Sequence, residues 1–413
     1  MGLGSLALSV PGLSGCGQAS GAADDPVAEP RPGISAGPSA GPPAGAPTGP
    51  SAGAAADGEG RDRTVPGGRD VSGGAAGNDP GGPAAREPAS EAGGLTQVRP
   101  PEAACEVSDK LVPACGAWWG VAPEIFTGRR PARALERAER RMGRPADIVH
   151  VYHRGDELFP TPEERAVARD PDGRRLLLVN WKPSVEHTWA QIARGELDQR
   201  IDRLARHVVK HFPERFFLTI HHEPENDVRT APRSGMTAAD YAAMYRHVVR
   251  RLRQRGVENA VTVMTYMGAP NWAARPWFEK LYPGDDVVDW VAMDPYVDDR
   301  VRSFDGLVNK IRSDTPDWPG FYRWMQRRFP GKPVMIAEWG VFERYDHPRF
   351  KESFFTSVRR ELPDYPQIKA LVYFDSPRAP RGDTRFDTTP GGRQAFTELA
   401  RDPHLRPAAV PAG

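Results

Sequence analysis

Eight times between residues 117 and 400 a short apolar run is followed by a stretch that turns helical or is polar enough to lie outside. The apolar runs are rich in Val, Ile and Leu and lack polar alternation, the pattern of parallel strands buried on both faces. They fall at 117–121, 147–152, 175–181, from 216, at 260–266, 287–293, 333–340 and 368–374. Helices are expected at 133–142, from Thr161 onward, at 197–211, 237–255, 321–329, 348–362 and 390–400. Thr161 has the strongest start signal, as an N-cap with Pro162 first and Glu164 third. Eight such units in roughly 300 residues suit a closed (β/α)8 barrel of the TIM type better than an open doubly wound sheet. No Gly-x-Gly-x-x-Gly and no Walker-type loop follows any strand, which argues against nucleotide chemistry.

The barrel does not use the whole chain of 413 residues, and the excess of Gly (42) and Pro (43) lies in front of it. Residues 17–99 are Gly, Ala, Pro and Ser with scattered charge, too poor in apolar side chains to offset the entropy of ordering them. They read as a disordered linker, with a catalytic-sized domain at 100–406 and a short tail at 407–413. Residues 1–16 form a weakly apolar leader ending in Leu-Ser-Gly-Cys, which resembles a bacterial lipobox with Cys16 as the lipidated residue, although a Lys/Arg start is missing. Cys105 and Cys115 then suggest one disulfide closing a short loop in an oxidising compartment. Together these features predict an extracellular protein anchored to the outer face of the membrane. Lys+Arg 55 against Asp+Glu 54 gives no electrostatic case for a nucleic-acid partner, and no stretch is long and apolar enough for a transmembrane helix.

In a (β/α)8 barrel the active site forms where the strands end. Those ends carry Trp119, Tyr152 and His153, Asn180 and Trp181, His222 and Glu223, Tyr266, Asp294 and Tyr296, Glu338 and Trp339, and Phe374 and Asp375. Aromatic faces suit the C–H faces of pyranose rings and carboxylates suit hydroxyls, so the lining reads as sugar-binding. Two apolar strands, at 216 and 333, each end on a glutamate, Glu223 and Glu338. Glycoside hydrolysis needs such a pair, one carboxyl group to protonate the leaving oxygen and one to attack or activate water. Either glutamate alone is readily explained as a salt-bridged barrel residue; two at paired strand ends are not.

The His222-Glu223 pair, the Ala-Glu-Trp-Gly of 337–340 and the Asp-Pro-Tyr of 294–296 resemble clan A glycoside hydrolases, most closely family 26, the β-mannanases. The Gly-x-x-Asp-x-x-Ile at 195–201 adds to the resemblance. It implies Glu223 as general acid/base, Glu338 as nucleophile, His222 as a sugar contact and Tyr296 as the group holding the nucleophile. It also implies a retaining endo-β-1,4-mannanase-like hydrolase without cofactor, acting on a polysaccharide or oligosaccharide; a monomer is the separate expectation. Trp119, Trp181, Trp272, Trp339 and Asp375 are the further expected substrate contacts. At strand four the family pattern His-Glu-Met-Asn-Gly is replaced by His-Glu-Pro-Glu-Asn, and Thr219 stands where an Arg is usual. That departure makes Glu225 a rival acid and leaves xylan, β-glucan or a cell-wall polymer as other substrates. A surface carbohydrate-binding protein on an inactive barrel is the alternative of another class. No metal is expected: His207 and His211 read as a solvated helix face, and residues 221–225 lack the His-Glu-x-x-His spacing.

Overall fold

The computed structural model describes residues 105–411, apart from 126, 345, 380 and 381. Cys16, the leader at 1–16 and the linker at 17–99 lie outside the described residues. Eight strands form a closed barrel in chain order: β1 (Trp118–Pro123), β2 (Ile148–Arg154), β3 (Leu176–Lys182), β4 (Phe216–Ile220), β5 (Ala260–Tyr266), β6 (Trp290–Met293), β7 (Val334–Trp339) and β8 (Ile368–Asp375). Every neighbouring pair is parallel. The expected TIM barrel is the fold.

Helices α1 (Pro131–Met142), α2 (Pro162–Ala168), α3 (Trp189–Ala193), α4 (Asp198–His211), α5 (Ala238–Gln254), α6 (Pro270–Ala273), α7 (Phe304–Val308), α8 (Phe321–Arg328), α9 (Phe350–Glu361) and α10 (Pro390–Ala400) connect them. α4 buries Ile201, Leu204, Ala205 and Val208, the stripe its periodicity predicts. The capping box at Thr161 and Glu164 forms. A second one, Thr188 with Gln191, opens α3, a helix that was not expected although Thr-x-x-Gln signals it.

Two apolar layers result. Inside the barrel, Trp118, Ile148, Leu178, Phe217, Val263, Trp290, Ala292, Met335 and Val372 fill the axis. Between barrel and helices, Trp119, Trp181, Leu218, Trp339 and Tyr373 pack against side chains such as Phe355 and Phe396. The floor is closed by the loop between Cys105 and Cys115, which a disulfide joins. Leu111, fully buried with φ 59°, belongs to the axial cluster. The indole N–H groups of Trp118 and Trp290 donate to the carbonyls of Leu111 (2.8 Å) and Lys110 (2.7 Å). The residues expected to be a tail return to this floor, where Ala408 and Val410 pack on the axial cluster.

Candidate active site

The inward positions at the C-terminal ends of the strands are polar, in contrast to the apolar axis beneath them. Side chains alternate along a strand, so Ile148 below places His150 and Tyr152 on the axis, Leu178 places Asn180, and Ala292 places Asp294. Glu338 does not follow that alternation. Between the pairs Ile336–Leu371 and Trp339–Tyr373, β7 takes three steps where β8 takes two. This bulge adds one residue, so Ile336 and Trp339 both face the helices and Glu338 faces the axis. There Tyr152 donates its hydroxyl to Oε1 at 2.7 Å, and Tyr296 donates to Oε2 at 2.8 Å. Tyr296 can approach because residue 340 is glycine: a Cβ there would lie 2.9 Å from the tyrosine ring.

β4 leaves the barrel through two left-handed residues, His221 (φ 53°) and Glu223 (φ 50°). Non-glycine residues seldom adopt this region, and two in three positions is backbone strain gathered at one point. The strain sends neighbouring side chains in different directions. His221 turns outward, fully buried against Trp189. His222 turns inward, its Nδ1 hydrogen-bonded to the Asn180 amide and its Nε2 3.6 Å from Glu338 Oε1. Glu223 stays partly exposed; its N–H donates to Thr265 O (3.1 Å) and its Oε2 accepts from the Asn226 amide (3.1 Å). Pro224 then begins a 3-10 turn, Pro224–Asp227. Glu225, the rival acid, is 1% exposed, and its Oε1 accepts from Met267 N at 3.0 Å. It faces the protein, and burial pushes its carboxyl up to about 7.

Asp294 was not given a role from sequence. It is 2% exposed, and among the described residues neither carboxylate oxygen has a hydrogen-bond partner. Burial first, then the charges of Glu338, Glu223 and Glu225, push it well above the usual carboxylate range; the Glu338 backbone N–H pulls the other way without the geometry of a hydrogen bond. Burial also raises Glu338, but the two tyrosine hydroxyls oppose it. Of these two coupled carboxyl groups, Asp294 therefore keeps the proton and Glu338 the charge. Burial and the neighbouring His221 and Lys182 hold His222 below the ordinary histidine range, so it is neutral near pH 7.

Four expected substrate contacts are corrected. Trp119, Trp181 and Trp339 are each 0% exposed. All three face the helices: Trp119 and Trp339 pack edge to face, and Trp181 donates its N–H to Gly155 O. Trp119 is the second residue of β1 and so lies at the floor end of its strand; for Trp181 and Trp339, parallel strands bury both faces, and an aromatic at a strand end has an even chance of pointing away from the mouth. Asp375 sits on the outward face with Tyr373 and accepts from Phe386 N at 3.2 Å. Trp272 lies in α6, half-buried, its N–H on Met267 Sδ at 2.9 Å and its ring 5.9 Å from Trp277. Phe342, not singled out from sequence, is half-buried beside Tyr296 with ring centroids 6.0 Å apart.

A serine–histidine–aspartate arrangement also lies at the mouth. Ser184 Oγ is 3.0 Å from His221 Nδ1, and His221 Nε2 is 2.7 Å from Asp227 Oδ2. The Trp189 indole N–H, which can only donate, points at the same Nδ1 at 3.1 Å and takes the lone pair a general base would need. Lys182 pairs with the same Asp227 oxygen at 2.7 Å. This network fixes the exit of β4; it does not activate a nucleophile.

No protein-family model matches the chain, and no curated protein does. Solved structures similar to it include a ruminal GH26 endo-β-1,4-mannanase at 13% identity and TM-score 0.48, with 70% of this chain and 64% of that one covered. A Bacillus subtilis mannanase aligns at 12% and 0.46, over 70% and 85%. A β-mannanase from a symbiotic protist of the termite Reticulitermes speratus aligns at 12% and 0.46, over 70% and 87%. The chain thus spans less than two thirds of the first of these. At this identity the likeness concerns fold, and the chemistry is argued from the side chains of this chain.

Proposed function

We propose that the protein is a retaining glycoside hydrolase acting on a β-linked polysaccharide, with Glu338 as nucleophile and Glu223 as general acid/base. The observation that carries the reading is the Glu338 carboxylate: buried, aimed at the axis by a strand bulge, and held by one tyrosine hydroxyl on each oxygen. The two hydroxyls favour the ionised form against burial, and a carboxylate oriented in this way is prepared to attack. Glu223 supplies the other half. It is partly exposed just after β4, three strands round the barrel from β7, and its charge bears on the same Asp294 and Tyr152 as that of Glu338.

In the proposed reaction Glu223 protonates the glycosidic oxygen as the C–O bond breaks, and Glu338 bonds to the anomeric carbon. Water then attacks that carbon, gives a proton to Glu223 and releases Glu338. His222, between Asn180 and Glu338, contacts the sugar. Mannan is the first substrate to try, on the motifs at 222–223, 294–296 and 337–340; the changed residues 224–226 keep xylan, mixed-linkage glucan and wall polymers on the panel.

Glu338→Ala should lose hydrolysis, and azide should restore turnover of an activated aryl glycoside. Glu223→Gln should harm substrates with poor leaving groups far more than activated ones. Unchanged turnover in Glu338→Ala sinks the assignment, and oligosaccharide binding without turnover by the wild type favours the non-catalytic alternative. Export and lipid attachment at Cys16 belong to the same proposal. Metabolic labelling with an alkyne fatty acid, lost in Cys16→Ser, tests it.

A further inference from the structure

We propose that His222, Asp294 and Glu338 form a binding site for a divalent transition-metal ion of the Zn2+ class, whose occupancy excludes sugar from the mouth. One ligand atom from each residue lies within 4.8 Å of the other two. Donors around a tetrahedral zinc, at about 2.0–2.2 Å from the metal, sit about 3.4 Å apart. Side-chain rotation of an ångström or so closes the difference.

Asp294 is the independent sign that something belongs here. A buried carboxyl group with neither oxygen hydrogen-bonded is costly. A proton reduces that cost; a dication removes it and also neutralises the like charge of Glu338. The tyrosine hydroxyls leave Glu338 free to coordinate, since each carboxylate oxygen has a second lone pair. For His222, Nε2 points at Glu338, and Nδ1 rests on Asn180, whose amide turned over accepts an Nδ1–H in exchange for the long 3.4 Å bond it accepts from His222 N. One imidazole with two carboxylates and no thiolate selects zinc and its neighbours. Magnesium and calcium prefer all-oxygen sites. That the ion competes with substrate rests on the glycosidase reading; that it binds does not.

Titration calorimetry with ZnCl2 on the whole protein tests the site. The His207→Ala/His211→Ala double variant is the proper background, because that helix-face pair, with rings 4.8 Å apart, would take zinc by itself. In this background one Zn2+ per chain is expected, weakened at least tenfold by His222→Gln and separately by Asp294→Asn. Two variants, each checked by circular dichroism, keep one misfolded protein from deciding. Cu2+ in the same background should show one imidazole nitrogen by pulsed EPR. Loss of all binding in the background, or binding that neither variant weakens, overturns the site. In an active preparation, zinc inhibition should be competitive and reversed by EDTA, and non-competitive inhibition overturns the exclusion of sugar. Zinc binding without hydrolysis of any polysaccharide refutes the glycosidase reading and leaves this one standing; hydrolysis without zinc binding does the reverse.

Discussion

Tyr152 and Glu338 come from strands far apart in the chain, yet the tyrosine hydroxyl donates to the glutamate at 2.7 Å. The tyrosine is itself supported: His150 Nδ1 is 3.2 Å from its oxygen, and the two rings stack at 4.3 Å. Hydrogen bonds to a charged group contribute about 1.5–3 kcal/mol. Tyr152→Phe should therefore lower kcat by roughly 10- to 100-fold, with KM little changed, while Tm stays close to wild type. A variant with full kcat would show that Tyr296 holds the carboxylate alone.

The aromatic contacts divide by exposure. Trp272 and Phe342 are half-buried at the mouth, whereas Trp119 is fully buried. Trp272→Ala and Phe342→Ala should raise KM for a long oligosaccharide about tenfold, the ~1.4 kcal/mol scale of one stacking contact. Trp119→Ala should instead lose about 3–5 kcal/mol of stability by leaving a cavity. Denaturation midpoints and KM, measured on all three, separate the roles. Equal KM effects would return Trp119 to the site.

The barrel itself was legible because parallel strands buried on both faces leave long apolar runs, and all eight expected strands formed. The same property hid the site's details. With both faces apolar, nothing in the sequence around Trp119, Trp181 or Trp339 tells inward from outward. The bulge that aims Glu338, and the left-handed His221 and Glu223 that turn His222 inward, depend on the register of neighbouring strands and not on local composition. Tyr152 and Asp294 were visible as strand ends, but their importance comes from what Glu338 does beside them. Thr161 and Thr188 differ in kind: a capping box is local chemistry, and its spacing can be read directly.

Glu225 should behave as a stability group and not as the acid. Its carboxyl is raised to about 7 by burial, from an ordinary 4.5. A raised acid holds its proton longer in the folded state, so the folded state loses stability as pH climbs from 4.5 and bears the whole cost above 7. Glu225→Gln keeps an acceptor for Met267 N and removes the charge. The variant should be about 2–3 kcal/mol more stable than wild type at pH 8, and the gain should vanish at pH 4. Its turnover of poor-leaving-group substrates at pH 6 should match wild type. A selective loss there, like that of Glu223→Gln, would make Glu225 the acid.

His153 gives the opposite pH dependence. Burial lowers it, but hydrogen bonds to Glu157 (3.2 Å) and Glu164 (2.8 Å) and their charges outweigh burial and raise it to about 9. A histidine raised in the folded state contributes stability that is complete below its unfolded value, near 6.5, and is lost as pH rises through 9. Glu157 is half exposed, with 53% of its side chain open to water, so screening reduces the contribution to on the order of 2 kcal/mol. His153→Gln should lower the unfolding free energy obtained from urea titration at pH 6 by that amount and nearly match wild type at pH 10. A gap of the same size at both pH values would mean that packing against Phe159, with rings 5.1 Å apart, and not the charge pair, is what His153 contributes.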